Sequence, residues 1–222
     1  MDFRDIYCFS DVEEALREYF GDDFDTEKKE TKKSFPASEH KSVKEFKVET
    51  IEVAGFVSAF KALRLPYGRE ERSVLQASIA SSGNEVHTET SSFLSDADIK
   101  LLNTLIKRGD EHAKVLRGIN AYCTINAPRY FHQELDTYRI GAERLGSEST
   151  MHIQGQGLPE DALVEMKENL KEGTMQKRVW VFSYQTLRRI YYQRKDHRLP
   201  QWHKFCDWIE TLPFAKEFIV AE

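Results

Sequence analysis

Residues 112–149 read HAKVLRGINAYCTINAPRYFHQELDTYRIGAERLGSES, and the order of patterns inside them decides the fold class. Over residues 117–125 the chain alternates. Ile119, Ala121, Cys123 and Ile125 point one way and Asn120, Tyr122 and Thr124 the other, the signature of a half-buried strand. Asn126-Ala127-Pro128 predicts a helix start, because proline suits a first helical turn. Phe131, Leu135 and Tyr138 give that helix an apolar face, while His132, Asp136 and Arg139 share another. Gly141 and Gly146 then loosen a polar stretch, RIGAERLGSESTMHIQGQG, residues 139–157.

On the N-terminal side, Val12, Leu16 and Phe20 predict a short amphipathic helix within residues 1–24. Residues 25–45 are polar and charge-dense and read as a linker or insertion, which divides the chain into 1–45 and a domain over 46–222. Phe46 to Val57 reads as a strand, Ser73 to Ser81 as a short helix and residues 83–94 as a loop. Ser95 with Asp98 predicts a capped helix, whose stripe is Ile99, Leu102, Leu105 and Ile106 and whose end is Gly109. On the C-terminal side, helices are expected over Leu158–Lys171 and Gln185–Arg194. Arg178–Phe182 reads as a short strand or a helix entry. A last helix carries Trp202, Phe205, Cys206 and Ile209 at i, i+3, i+4 and i+7. Strands and helices segregate, so the expected class is α+β, a mixed or antiparallel sheet with packed helices.

Composition narrows the function. In 222 residues, 32 basic and 37 acidic side chains leave a net charge of -5, which speaks against a generic nucleic-acid binder. The mean hydropathy of -0.58 comes without any apolar run near the roughly 20 residues of a membrane span. The acidic start MDFRDIYCFSDVEE has no signal-peptide core. Cys8, Cys123 and Cys206 are widely spaced and odd in number, which fits reduced thiols in the cytoplasm. No CxxC pair or HxxxH cluster suggests zinc, so no metal site is expected.

Single motifs say little. Cys123 and Cys206 lie on apolar faces and read as inert thiols. There is no GxSxG elbow, phosphate-binding P-loop or GxGxxG fingerprint. LRRIYYQRKDHR, residues 187–198, is a basic cluster that reads either as a solvated helix face or as an anion pocket.

The order of these elements resembles the flavin-dependent thymidylate synthases. That family has a helix ending in Arg-His-Arg-x-x-Ser-x-Asn-x-x-Ser-x-Arg. A later helix follows, with Leu seven residues before Arg, and then a Gln-Trp pair. Here Thr137, Tyr138 and Arg139 stand at the Arg-His-Arg triplet, Ala142 at the first Ser and Arg144 at the Asn. Ser147 matches the second Ser and Ser149 replaces the last Arg. Leu187 and Arg194 keep the spacing of seven, and Gln201-Trp202 follows. The likeness covers roughly residues 100–220.

The resemblance implies a chemistry without a covalent protein nucleophile. Reduced FAD delivers hydride, methylenetetrahydrofolate supplies the carbon and NADPH the reducing power. Arg194 is the implied catalytic residue, polarising the pyrimidine ring, since a guanidinium stabilises charge developing on a carbonyl. Ser147, Ser149, Arg144 and Glu134 are the implied substrate contacts, with the amides of Gly146 to Ser149 near the phosphate. His112, Lys114, Tyr138 and Arg139 are the implied cofactor contacts. The partner is a pyrimidine nucleotide such as dUMP, and the implied assembly is a homotetramer. Replacing the terminal Arg by Ser149 removes a charge-assisted contact worth roughly 1.5–3 kcal/mol. Two alternatives stand beside this reading: a nucleotide-binding or scaffold protein of the same fold without flavin chemistry, and a different pyrimidine modification such as hydroxymethylation.

Overall fold

In the computed structural model, residues 37–68 and 94–221 are described. The helix expected within residues 1–24 and the one at Ser73–Ser81 lie outside them. Twelve labelled elements follow in chain order: α1 (Lys41–Lys44), β1 (Lys47–Ala54), α2 (Phe56–Arg64), α3 (Asp96–Ile106), β2 (Asn120–Pro128), α4 (Arg129–Leu135), β3 (Ala142–Ser147), α5 (Thr150–Ile153), α6 (Glu160–Glu168), β4 (Met175–Ser183), α7 (Tyr184–Arg194) and α8 (Pro200–Glu210). The four strands form one antiparallel sheet in the order β1-β2-β4-β3. The class is α+β.

Ile119, just before β2, and Ala121, Cys123, Ile125 and Ala127 within it alternate fully inside, against helices on one face of the sheet. Phe131 from α4 lies 4.5 Å from Trp202 and 4.9 Å from Phe46, ring to ring, and Phe182 from β4 lies 5.9 Å from Phe205. α8 reaches β1 through Trp208, whose Nε1 donates to Thr50 Oγ1 at 2.9 Å. The strand is shifted from the expected residues 117–125: Lys114–Gly118 form a 3-10 helix, and β2 starts at Asn120 and runs three residues further on. Asn126 and Ala127 stay extended and pair with Lys177 and Gln176, and Pro128 is the N-cap of α4 rather than an interior helical residue. Proline disfavours helical backbone in the residue before it, so the strand runs up to the proline.

Other departures have physical causes. The strand expected over Phe46–Val57 stops at Ala54. Gly55, at φ 97°, turns the chain into α2, where Phe56, Ala59, Phe60 and Leu63 form a buried helical stripe. A Cβ at Gly55 would press into the Gly118 carbonyl oxygen, so only glycine fits there. Residues 37–45 do not behave as a linker. Val43 is buried, and Lys204 Nζ donates to its carbonyl at 2.7 Å. The stretch read as loose and polar contains β3, an edge strand whose bulge carries the exposed Leu145. The Ser95 cap forms as expected, accepting from the Asp98 amide.

Candidate functional site

α7 starts at a capped N-terminus, where Ser183 Oγ accepts from the Thr186 amide at 3.3 Å, and its last residue is Arg194. This brings Arg194 against α8 and the turn that follows α4. Its Nε donates to Tyr138 Oη at 2.8 Å and an Nη1 proton reaches Glu134 Oε2 at 3.4 Å. The guanidinium carbon lies 4.5 Å from the Trp202 ring centroid and 5.6 Å from that of Tyr138. Trp202 Nε1 donates to the same Glu134 oxygen at 2.8 Å. A carboxylate and two aromatic faces thus hold a cation whose side chain is only 21% exposed. His197 stands 4.0 Å from Glu134, and burial, then the Arg194 charge, hold its pKa below the usual histidine value. Glu134 therefore answers one full charge, that of Arg194.

A second polar group sits where α4 meets β3 and β4. Arg144, Ser147 and Arg178 share a sheet face, since Arg144 pairs with Trp180 and Ser147 with Arg178. Arg178 Nη1 donates to Asp136 Oδ2 at 2.9 Å and its Nε to Gln176 Oε1 at 3.1 Å. Arg144 reaches the same carboxylate at 3.4 Å. His132, fully buried beside them, has Nε2 2.9 Å from the Gln176 carbonyl and Nδ1 without a partner. Burial drives its pKa down to about 4.

Two cationic loops flank the first turn of α7. Gln185 accepts from Arg117 and donates to the Asp110 carbonyl, which ties it to the loop carrying His112 and Lys114. Thr186 and Arg189 both donate to the Ile140 carbonyl, which ties the turn to the segment carrying Arg139. His112, Lys114 and Arg139 are exposed. The closeness of the second segment depends on Gly141, at φ 73°, where a Cβ would press into the Ser183 and Thr186 hydroxyls. Both loops thus present exposed cations beside the first turn of α7. Tyr138 is different: its ring is packed beside Trp202 and its hydroxyl is taken by Arg194.

The basic segment 187–198 is not one face. Arg188 donates to the Ile219 and Ala221 carbonyls and holds the C-terminal segment, Arg189 serves Ile140, and Arg194 turns into the aromatic cluster. Of the implied substrate contacts, Glu134 lies in the Arg194 cluster and Arg144 and Ser147 lie by Arg178. The Ser149 hydroxyl caps α5, and the Glu148 amide is committed to Lys177 O at 2.8 Å. A surface hollow of about 460 Å³ lies on α3 among Ile99, Asn103 and Lys107 and includes none of these residues. Asp136 and Arg178 were not legible as a pair: they are 42 positions apart, and the only local sign was an arginine at the start of an aromatic strand.

No family model matches the sequence, and no curated protein matches it. The fold is nonetheless that of the flavin-dependent thymidylate synthases. One solved structure with this fold is flavin-dependent thymidylate synthase ThyX from Helicobacter pylori, complexed with FAD and dUMP. It is 14% identical, with a TM-score of 0.52, over 78% of this chain and 97% of that one. Another is the UMP/dUMP methylase PolB from Streptomyces cacaoi, bound with 5-Br dUMP. It is 11% identical, with a TM-score of 0.53, over 78% of this chain and 91% of that one. Identities this low establish a shared fold and nothing further.

Proposed function

We propose that this chain is a flavin-dependent thymidylate synthase-like enzyme that transfers a one-carbon unit to a pyrimidine deoxynucleotide, dUMP or a close relative. The observation that carries the reading is the Glu134–Tyr138–Arg194–Trp202 cluster on a fold of that type. Arg194 is the catalytic residue. Tyr138 and Glu134 occupy part of its guanidinium and fix its plane, and the remaining N–H groups face the pyrimidine carbonyl, where negative charge develops. Glu134 has its second oxygen to accept the ring N–H of a uracil. Trp202 excludes water from one side of the guanidinium, which strengthens its field. Ser147, Ser149 and Arg144 would contact the nucleotide phosphate in this reading, with the Ser149 hydroxyl also capping α5.

His112, Lys114 and Arg139 would hold the FAD diphosphate, with Tyr138 acting through Arg194. When bound, the flavin supplies hydride, with methylenetetrahydrofolate as carbon donor and NADPH as reductant. The working form in this reading is a homotetramer, in keeping with the exposed apolar side chains Ile140, Leu145, Met151 and Ile153. Free thiols at Cys123 and Cys206 are in keeping with the cytoplasm. Among the described residues no helix is long and apolar enough to cross a membrane.

The test is the visible spectrum of the purified protein after incubation with FAD, followed by tritium release from carbon 5 of dUMP with methylenetetrahydrofolate and NADPH. Flavin bands and tritium release are expected; a protein that stays colourless ends the flavin assignment. A second reading, a non-catalytic nucleotide-binding protein, is favoured by one observation: Arg194 already spends Nε and Nη1 inside the chain. Binding of dUMP without flavin and without tritium release would select it.

A further inference from the structure

We propose that Arg178, with Arg144, is the phosphate clamp of this chain's nucleotide site, taking over from the arginine that Ser149 displaces. The inference rests on the nucleotide-binding reading above and adds a residue to it that the resemblance does not provide. Its ground is a charge imbalance. Two guanidiniums converge on one carboxylate, Asp136, so the group carries a surplus positive charge. The Arg178 side chain is only 11% exposed, and a cation taken that far from water is stable only when well compensated. Half of a shared carboxylate is poor compensation, and an anion completes it.

The geometry of the donors fits a phosphate. Asp136 takes an Nη1 proton of Arg178 and Gln176 takes its Nε, which locks the plane of the guanidinium and leaves the Nη2 side for a ligand. Arg144 touches Asp136 only at 3.4 Å and is 46% exposed, so it can turn onto an incoming anion at little cost. Ser147 is the register neighbour of Arg178 on the same sheet face and its side chain is exposed, which adds a hydroxyl donor. The Glu148 carboxylate is held at the Lys177 backbone amide, at 2.8 Å, and among the described residues the ion pairs of Arg178 and Arg144 are to Asp136. Planar guanidinium forks and a hydroxyl are the donors that recognise phosphate oxygens. Asp136 and Gln176 are positioning residues.

The experiment compares dUMP with deoxyuridine by titration calorimetry, because the two ligands differ only in the phosphate. The wild-type chain should bind dUMP at least about tenfold more tightly. Arg178→Gln and Arg144→Ala should each erase most of that preference while leaving deoxyuridine affinity unchanged, and Arg178→Lys should keep only part of it. If Arg178→Gln does not fold, the paired variant Arg178→Gln/Asp136→Asn removes both charges together. Arg144, being exposed, decides the question if that one fails too. A dUMP preference that survives these substitutions overturns the clamp and leaves the nucleotide reading standing. A wild-type chain that binds neither ligand overturns the nucleotide reading itself, and the clamp with it.

Discussion

Arg194 and Trp202 share one acceptor: the guanidinium lies 4.5 Å from the indole ring centroid, and both groups donate to Glu134 Oε2. Glu134→Gln keeps an acceptor for the indole N–H but removes the counter-charge of the guanidinium. Both charged side chains are partly exposed, so solvent screening limits the stability loss to about 1 kcal/mol. The functional loss is larger, because Arg194 is no longer held in one plane. dUMP binding should weaken several-fold while urea denaturation moves little. Unchanged dUMP affinity would separate Glu134 from the site.

Gly141→Ala should act on the whole site from one position. The residue sits at φ 73°, and its Cβ would enter the space of the Ser183 and Thr186 hydroxyls that cap α7. Strain at a positive φ combined with a disturbed cap costs about 2–3 kcal/mol. The segment holding Arg139 would also move off the first turn of α7. The urea midpoint should fall accordingly, and any FAD-induced change in the spectrum should shrink with it.

β2 was legible because it is a central strand with one wet face, so its period of two survives in the sequence. β3 was not: all of its residues except Ala142 are exposed, and it is a strand only because the free edge of β4 pairs with it. The stripe of α2 was written in Phe56, Ala59, Phe60 and Leu63, but it follows so closely on Val53 and Ala54 that the two apolar runs merge. Arg194, Glu134 and Tyr138 were named from motif order alone, and the fold brings them together. No local pattern announces that Arg178, 42 positions from Asp136, shares its carboxylate with Arg144.

The thiols should be silent. Burial pushes the Cys123 thiol far above its ordinary value, and burial, then nearby acidic groups, take Cys206 up to about 12. At pH 8 the thiolate fraction of Cys206 is on the order of one in ten thousand. With Cys8→Ser removing the third thiol, native protein should not react with Ellman's reagent over an hour, and guanidinium-unfolded protein should release two equivalents. Rapid labelling of the native chain would contradict the burial of these strand and helix positions.

His132 should make stability fall in mild acid. Burial is the largest cause of its low value, about 4, and the Arg178 and Arg144 charges add to it. The unfolded chain takes up the proton near pH 6.5 and the folded chain only near 4. The neutral imidazole therefore contributes its full stability above pH 6.5, and that contribution is lost as pH falls from 6.5 toward 4. A shift of this size corresponds to about 3 kcal/mol. Protonation would also place a third cation beside Arg178 and Arg144, where Asp136 already serves two. His132→Gln keeps a donor for the Gln176 carbonyl and cannot titrate. Between pH 7 and 4 its unfolding free energy should therefore fall by about 3 kcal/mol less than that of the wild type. Parallel pH profiles for the two proteins would show that the histidine is not held neutral by the fold.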